Sequence, residues 1–394
     1  MGLGFVLSHR IFVTNDSLSD YVHVWYVADR LWHGHGVPLH MPVLGHGDAL
    51  AFPYSFLPWF TAALLRPVFG DWVVTLWLVL GFLAIAAAMW CAFPELRRGW
   101  WFAMLLIDPM LVEGPLLGQM PFVWAAAFLF AAIACWRDRR LVPATLFLGA
   151  AEATHPAVIL PIAGVLVLAR LYWETKRAHL LAVYAVSLVI AAPAAWMTLA
   201  SPTVQDISRT ALISDFFGTV SLRAIAVAAP FIALVLRRTP LARAPAALFV
   251  ALIGLNLVLV PVRHDQYGWT ALTRTPNTSL SAFIDSPNFV HGATYRILRV
   301  GDGKVGMYQL VRAGARLDSE LFPESIDRRS FPSPDAYVAF LHARHVQYVI
   351  IYYSYDRRYG TNEHALLGTL STGASACARA VVRATDYDVY AVNC

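Results

Sequence analysis

Two groups of polar residues in this chain have types and positions that could do chemistry. The first is a polar stretch near its start that holds Asp16, Asp20 and Asp48 with His23, His33, His35, His40 and His46. The second is a set of polar groups, Asp108, Glu113, Gln119, Glu152 and His155, inside or at the ends of apolar runs. A carboxylate beside an apolar segment can accept a proton from a hydroxyl that approaches from the bilayer. Histidine with carboxylate can bind a metal, although His-Gly-His-Gly at 33–36 has no spacing that sets a ligand geometry. A charged group inside lipid is costly and therefore suggests function. The same residues also allow plainer readings. Asp16 or Ser19 caps a helix and Asp20 is solvated. The loop histidines are solvated or hydrogen-bonded, and the groups inside the apolar runs pair with one another.

The elements that must position these groups are membrane helices. Of 394 residues, 58% are hydrophobic and only 14% charged, against about a quarter charged in soluble domains. Lipid is the solvent that fits. The first 262 positions hold 29 charged residues and the last 132 hold 26. The chain therefore divides into a transmembrane region, 1–262, and a soluble region, 263–394. The formal charge of +5 comes in short basic clusters between apolar runs, which is a topology signal rather than a nucleic-acid footprint. No cleavable signal peptide is evident. Met1–Val13 is too short to span and reads as an anchor or as the end of a longer first helix.

With roughly 20 apolar residues per crossing, spans are expected near Asp71–Pro94, Trp100–Leu117, Met120–Trp136, Leu141–His155, Pro156–Trp173, Leu180–Ala200, Gly218–Leu236 and Pro245–Val262. The total is about 8–10. The pair around His155-Pro156 is barely long enough for two crossings and suits half-helices that meet inside the membrane. Arg97 and Arg98, then Arg137, Arg139 and Arg140, then Lys176 and Arg177, then Arg237, Arg238 and Arg243 all fall on one side. Arg170 lies near that side; Arg30, Arg66, Arg209 and Arg223 lie opposite. This is a positive-inside pattern. It places the loop at 14–52, the loop at 201–217 and the region after 262 outside the cytoplasm. It also requires that Pro53–Gly70 not cross, and that stretch suits a helix lying in the outer interface.

The soluble region reads as a small α/β domain. Strands are expected at Tyr295–Val300, Met307–Ala313 and Gln347–Ser354, helices at Ser333–His345 and Glu363–Leu370, and a hairpin from Ala378–Arg383 and Tyr387–Val392. A turn at Thr385-Asp386 sets Cys377 opposite Cys394, and an extracytoplasmic compartment permits their disulfide. Two free thiols would follow from another register.

By this topology Asp16, Asp20, Glu113, Gln119 and His155 all map to the outer leaflet side, with Glu152 three residues from His155 on one helix face. A polar pocket there could admit a phospholipid head group, with Arg209, Arg223 or Arg66 neutralising its phosphate.

The layout resembles the GT-C-type glycosyltransferases, integral-membrane enzymes that use polyprenyl-phosphate sugars. Asp20 in SDYVHVWYVADRLWHGHGVP is similar to the acidic residue of that superfamily's first outer loop. FPYSFLPW, which contains Tyr54, is similar to the segment before its second helix. The run from Leu111 to Pro161 looks like the bacterial mannosyl- and arabinosyltransferase pattern of Gly-Gln, helix, basic loop and Gly-rich helix. It departs from that pattern at His155, where Lys is frequent. The likeness implies a GT-C-like helical bundle with a C-terminal extracytoplasmic α/β domain, in a bacterial plasma membrane. It implies Asp20 as catalytic base or metal ligand, with Asp16 as substitute, and inverting transfer from a lipid donor at the outer face. His23, Tyr54, Glu113, Gln119, Glu152, His155 and Arg209 form the expected substrate-binding set. The leaving phosphate needs a cation, either Arg or a divalent metal such as Mg or Mn. The acceptor would be an extracytoplasmic glycan, lipid or protein. The alternative is a non-catalytic member of the same architecture that binds lipid or glycan in envelope assembly.

Overall fold

The computed structural model describes residues 17–47, 49–52, 56–97, 102, 106, 118–172, 174–200, 278–298, 304–319, 329–372 and 376–394. The spans expected near Trp100–Leu117, Gly218–Leu236 and Pro245–Val262 lie outside the described residues, as does Met1–Val13. Packing divides the chain into two units, one with 17–20 and 52–200, the other with Tyr21–Ala51 and 278–394. The loop expected to belong with the membrane region thus packs mostly with the C-terminal one.

The first unit is helical. α1 (Ser17–Trp32) starts in it, followed by α2 (Phe56–Phe69), α3 (Val73–Ala92), α4 (Met120–Arg137), α5 (Leu141–Thr154), α6 (Pro156–Leu171) and α7 (Arg177–Ala200). Among the described residues three apolar helical stretches, Phe56–Ala92, Met120–Arg137 and Arg177–Trp196, are long enough to cross a membrane. The first is not one rod. A single 3-10 turn at Gly70–Trp72 separates α2 from α3. Gly70 takes φ 63° there, a conformation glycine adopts without strain. Trp77 Nε1 then donates to Thr61 Oγ1 at 3.1 Å. In a continuous helix residues 16 apart would be separated by about 24 Å, so α2 folds back beside α3. Arg66 is held by Asp71 at this bend, 2.8 Å away, so its charge is already engaged.

α3 and α4 run parallel. Trp77 and Trp124, each early in its helix, pack at 5.7 Å, and Arg137 at the end of α4 donates to the carbonyls of Ala92 and Cys91 at 3.1 and 3.3 Å. α5 and α6 form a hairpin that reverses at His155-Pro156. Its two open ends meet, since Arg139 and Arg170 both reach Glu174, at 3.6 and 3.3 Å. At about 21 and 24 Å, α5 and α6 are each shorter than a bilayer core of about 30 Å. Small side chains let the helices approach. Ala125, Ala132, Ala151 and Ala163 pack with Leu148, Ile159 and Val183. A Cβ on Gly149 would stand 2.8 Å from Ile190. Of the four expected basic clusters, those at 137–140 and 176–177 lie wholly within the described residues, with Arg97 of a third. The contacts above gather those of the α4–α5 and α6–α7 loops at the end where α3, α4 and α6 finish.

The second unit is a mixed α/β fold. It contains β1 (His40–Met41), β2 (Ala49–Leu50), α8 (Thr278–Ile284), β3 (Thr294–Leu298), α9 (Lys304–Arg312), β4 (Arg316–Leu317), α10 (Pro334–Ala343), β5 (Tyr348–Tyr352), α11 (Tyr355–Tyr359), α12 (Glu363–Leu370), β6 (Ala378–Arg383) and β7 (Tyr387–Val392). The five-stranded sheet has the order β4-β3-β5-β7-β6. β3 is parallel to β4 and β5, and β7 is antiparallel to β5 and β6. Central β5 reads YVIIY, the continuous apolar run of a strand covered on both faces.

Met307–Ala313, expected as a strand, is helix α9. Gly306, Met307, Tyr308, Leu310 and Val311 are buried in it, and Met307, Leu310 and Val311 keep the i, i+3, i+4 spacing of a helical face. The hairpin register also differs. A bulge between Ala380 and Val382 sets Ala378 against Val392. Cys377 therefore faces Asn393, whose N–H it accepts at 2.8 Å. The Cys377–Cys394 disulfide forms one residue beyond direct opposition, and it is consistent with an extracytoplasmic location for this unit.

Candidate functional site

Asp20 lies in the first turn of α1, where a carboxylate suits the helix N-terminus. Ser17, Leu18, Ser19 and Asp20 are all buried, Asp20 at 2% exposure. Its Oδ1 accepts a hydrogen bond from the indole Nε1 of Trp59 at 2.7 Å. Trp59, 1% exposed, comes from α2 and ends the FPYSFLPW segment. Two stretches singled out by their residues, 39 positions apart, thus meet at one carboxylate. Asp20 is not solvated, because this contact and the packing of the first turn cover it. Trp59 was not among the expected site residues. An indole in an aromatic stretch reads as an interfacial anchor, and nothing local reveals its partner.

His23 lies three residues later on α1 and is also buried. The loop histidines do not join it. His33, His35 and His40 are exposed, with His33 beside Asp29 at 3.3 Å. Among the described residues no group of three His, Cys, Asp or Glu side chains converges as a metal site. Asp16, Asp48, Tyr54, Asp108, Glu113 and Arg209 lie outside the described residues.

A second polar focus lies in the α5–α7 region. Glu152, in the last turn of α5, is fully buried. Ser187 and Tyr184 of α7 stand beside it. The hydroxyl of Ser187 donates to the carbonyl of Tyr184 at 2.8 Å, and among the described residues neither carboxyl oxygen of Glu152 has a hydrogen-bond partner. The expected shared helix face of Glu152 and His155 is not formed. α5 stops at Thr154, and His155 is extended, φ −142° and ψ 71°. The residue before proline is biased out of the helical region. Gln119 is the residue before the first turn of α4. It lies with His155 at the end of the helices opposite the basic loops, because α4 starts there and α5 finishes there.

At the basic end, Glu174 is 2% exposed at its side chain and bonded by both Arg139 and Arg170. Burial works against its charge, but the Lys176 N–H and these two guanidiniums outweigh it and hold the carboxyl below the usual range.

The buried charges of the α/β unit were not foreseen. Arg296 on β3 forks onto Glu363 at 2.7 and 2.9 Å and reaches Asp318 at 3.0 Å. Burial alone would lower its pKa, yet Glu363 and Asp318 raise it well above the ordinary value.

No protein-family model, curated protein or solved structure matches the chain.

Proposed function

We propose that the protein is a membrane glycosyltransferase that moves a sugar from a polyprenyl-phosphate donor to an extracytoplasmic glycan, lipid or protein. The observation that supports it is Asp20, buried at the start of α1 and oriented by Trp59. In this reading Asp20 takes the proton of the acceptor hydroxyl as its oxygen bonds to the sugar carbon. The carbon–phosphate oxygen bond breaks and the polyprenyl phosphate leaves with the electron pair. Glu152, buried and without a hydrogen-bond partner among the described residues, would accept from a sugar hydroxyl. An arginine or a divalent metal would offset the phosphate charge.

The test is transfer from a panel of radiolabelled polyprenyl-phosphate sugars by the full chain, alone and as Asp20→Asn. Loss of a general base is expected to lower turnover by about 10²–10⁴-fold with donor binding retained. Undiminished transfer by Asp20→Asn would sink the assignment. The near-complete burial of Asp20 favours a second reading, in which its bond to Trp59 is structural and the protein binds lipid or glycan without catalysis. Saturable donor binding with no transfer from any donor supports that one.

A further inference from the structure

We infer that the basic end of the helical unit binds one anionic diacyl phospholipid, with its phosphate at the arginines and part of one acyl chain in the cavity between α4, α5, α6 and α7. This inference is independent of the catalytic reading. The cavity measures about 190 Å³. An apolar cavity of about 150 Å³ already admits a ring the size of benzene. Part of its lining is apolar and buried, at Leu148, Ala163 and Val183. Another part is charged, with Arg137, Arg139, Arg170 and Glu174. An apolar wall beside a cationic one matches an acyl chain next to a phosphate.

The charge arrangement supports the same occupant. Arg137 has a structural duty, closing the end of α3 through the Ala92 and Cys91 carbonyls. Arg139 and Arg170 do not cap helices. They share Glu174, Arg139 on Oε1 and Arg170 on Oε2. With Arg137, three guanidiniums around one carboxylate leave two positive charges, and a phosphodiester would offset one of them. Each guanidinium has five N–H donors, so both retain donors after reaching Glu174. Arg139 also takes φ 59°, where glycine is the usual residue after a helix. Its side chain is 53% exposed, so packing does not explain an arginine there. Basic pockets between membrane helices on the cytoplasmic side are known to suit anionic head groups.

The test is native mass spectrometry of the detergent-purified full chain with equimolar dioleoyl phosphatidylglycerol and phosphatidylcholine. One retained phosphatidylglycerol is expected in preference to phosphatidylcholine. Arg139→Gln, a change at an exposed side chain, should cut that preference about fivefold, and Arg170→Gln by a similar factor. Leu148→Trp fills the apolar end and should weaken retention with every charge intact. Inorganic phosphate should not displace the lipid. Equal retention of both lipids overturns the proposal, as does a preference unchanged by Arg139→Gln or displacement by phosphate alone.

Discussion

Glu174 shows how one side chain fixes a response to acid. Its folded-state pKa is depressed, by the Lys176 N–H and by Arg170 and Arg139 against the opposing effect of burial. Its contribution is therefore present above the unfolded carboxylate pKa of about 4.3 and fades as pH falls through the lower folded value. Glu174→Gln should be less stable than the parent at neutral pH, and the gap should close as pH falls from about 5 toward 3. Thermal unfolding of the detergent-solubilised chain over that range checks it; parallel curves would refute it. Asp20 and Glu152 could be singled out from residue type and position alone, because an acid beside or within an apolar run is conspicuous. Trp59 could not, since its hydrogen bond joins residues 39 apart. Arg296 was hidden for the same reason: its carboxylates lie 22 and 67 positions away.

Among elements, β3 carries the largest electrostatic commitment. Arg296, Asp318 and Glu363 are each at most 2% exposed, and they join β3, the residue after β4, and α12. Removing one partner strands a buried charge. Glu363→Ala should destabilise the α/β unit by about 3–5 kcal/mol, read from denaturant unfolding of the full chain. Replacing all three, together with Arg344, which also faces Asp318 at 3.7 Å, by apolar residues of similar volume should recover much of that loss. A loss under about 1 kcal/mol for Glu363→Ala would mean that water reaches the pair. The apolar helices were legible because their composition favours lipid as solvent, and five of the expected spans begin and end within three residues of the observed helices. α9 was misread because Met-Tyr-Gln-Leu-Val fits both helical and extended spacing over so short a run. The helix α8 and the two-residue β4 gave no periodicity to read. The bend at Gly70 also lacks a periodic signal; it becomes visible only through the Trp77–Thr61 contact.

For the whole chain, the arrangement of basic loops and the disulfide point the same way. The Arg-rich loops around Arg137–Arg140 and Arg170–Arg177 share one end of the helices, as positive-inside orientation requires. The disulfide lies in the α/β unit, in accord with an oxidising compartment. It closes a separation of 17 residues, worth about 3 kcal/mol by loop-closure entropy. Reductant should lower the unfolding temperature of the α/β unit and leave the helical unit's transition in place. Thiol alkylation with mass mapping, before and after reduction, tracks the bond. An unfolding curve insensitive to reductant would show that the bridge adds nothing beyond the hairpin.

The contact of Arg137 with the carbonyls of Cys91 and Ala92 has a consequence in time. The donor is made 45 or 46 residues after its acceptors. At a synthesis rate of about 5–20 residues per second, that delay is roughly 2–9 s. While the ribosome is still delivering α4, the last turn of α3 has no such lid. Its carbonyls must rest in the wet head-group layer, where water can serve them. α3 can therefore be threaded early but is sealed only when α4 arrives, and the parallel pair is completed during biogenesis in that order.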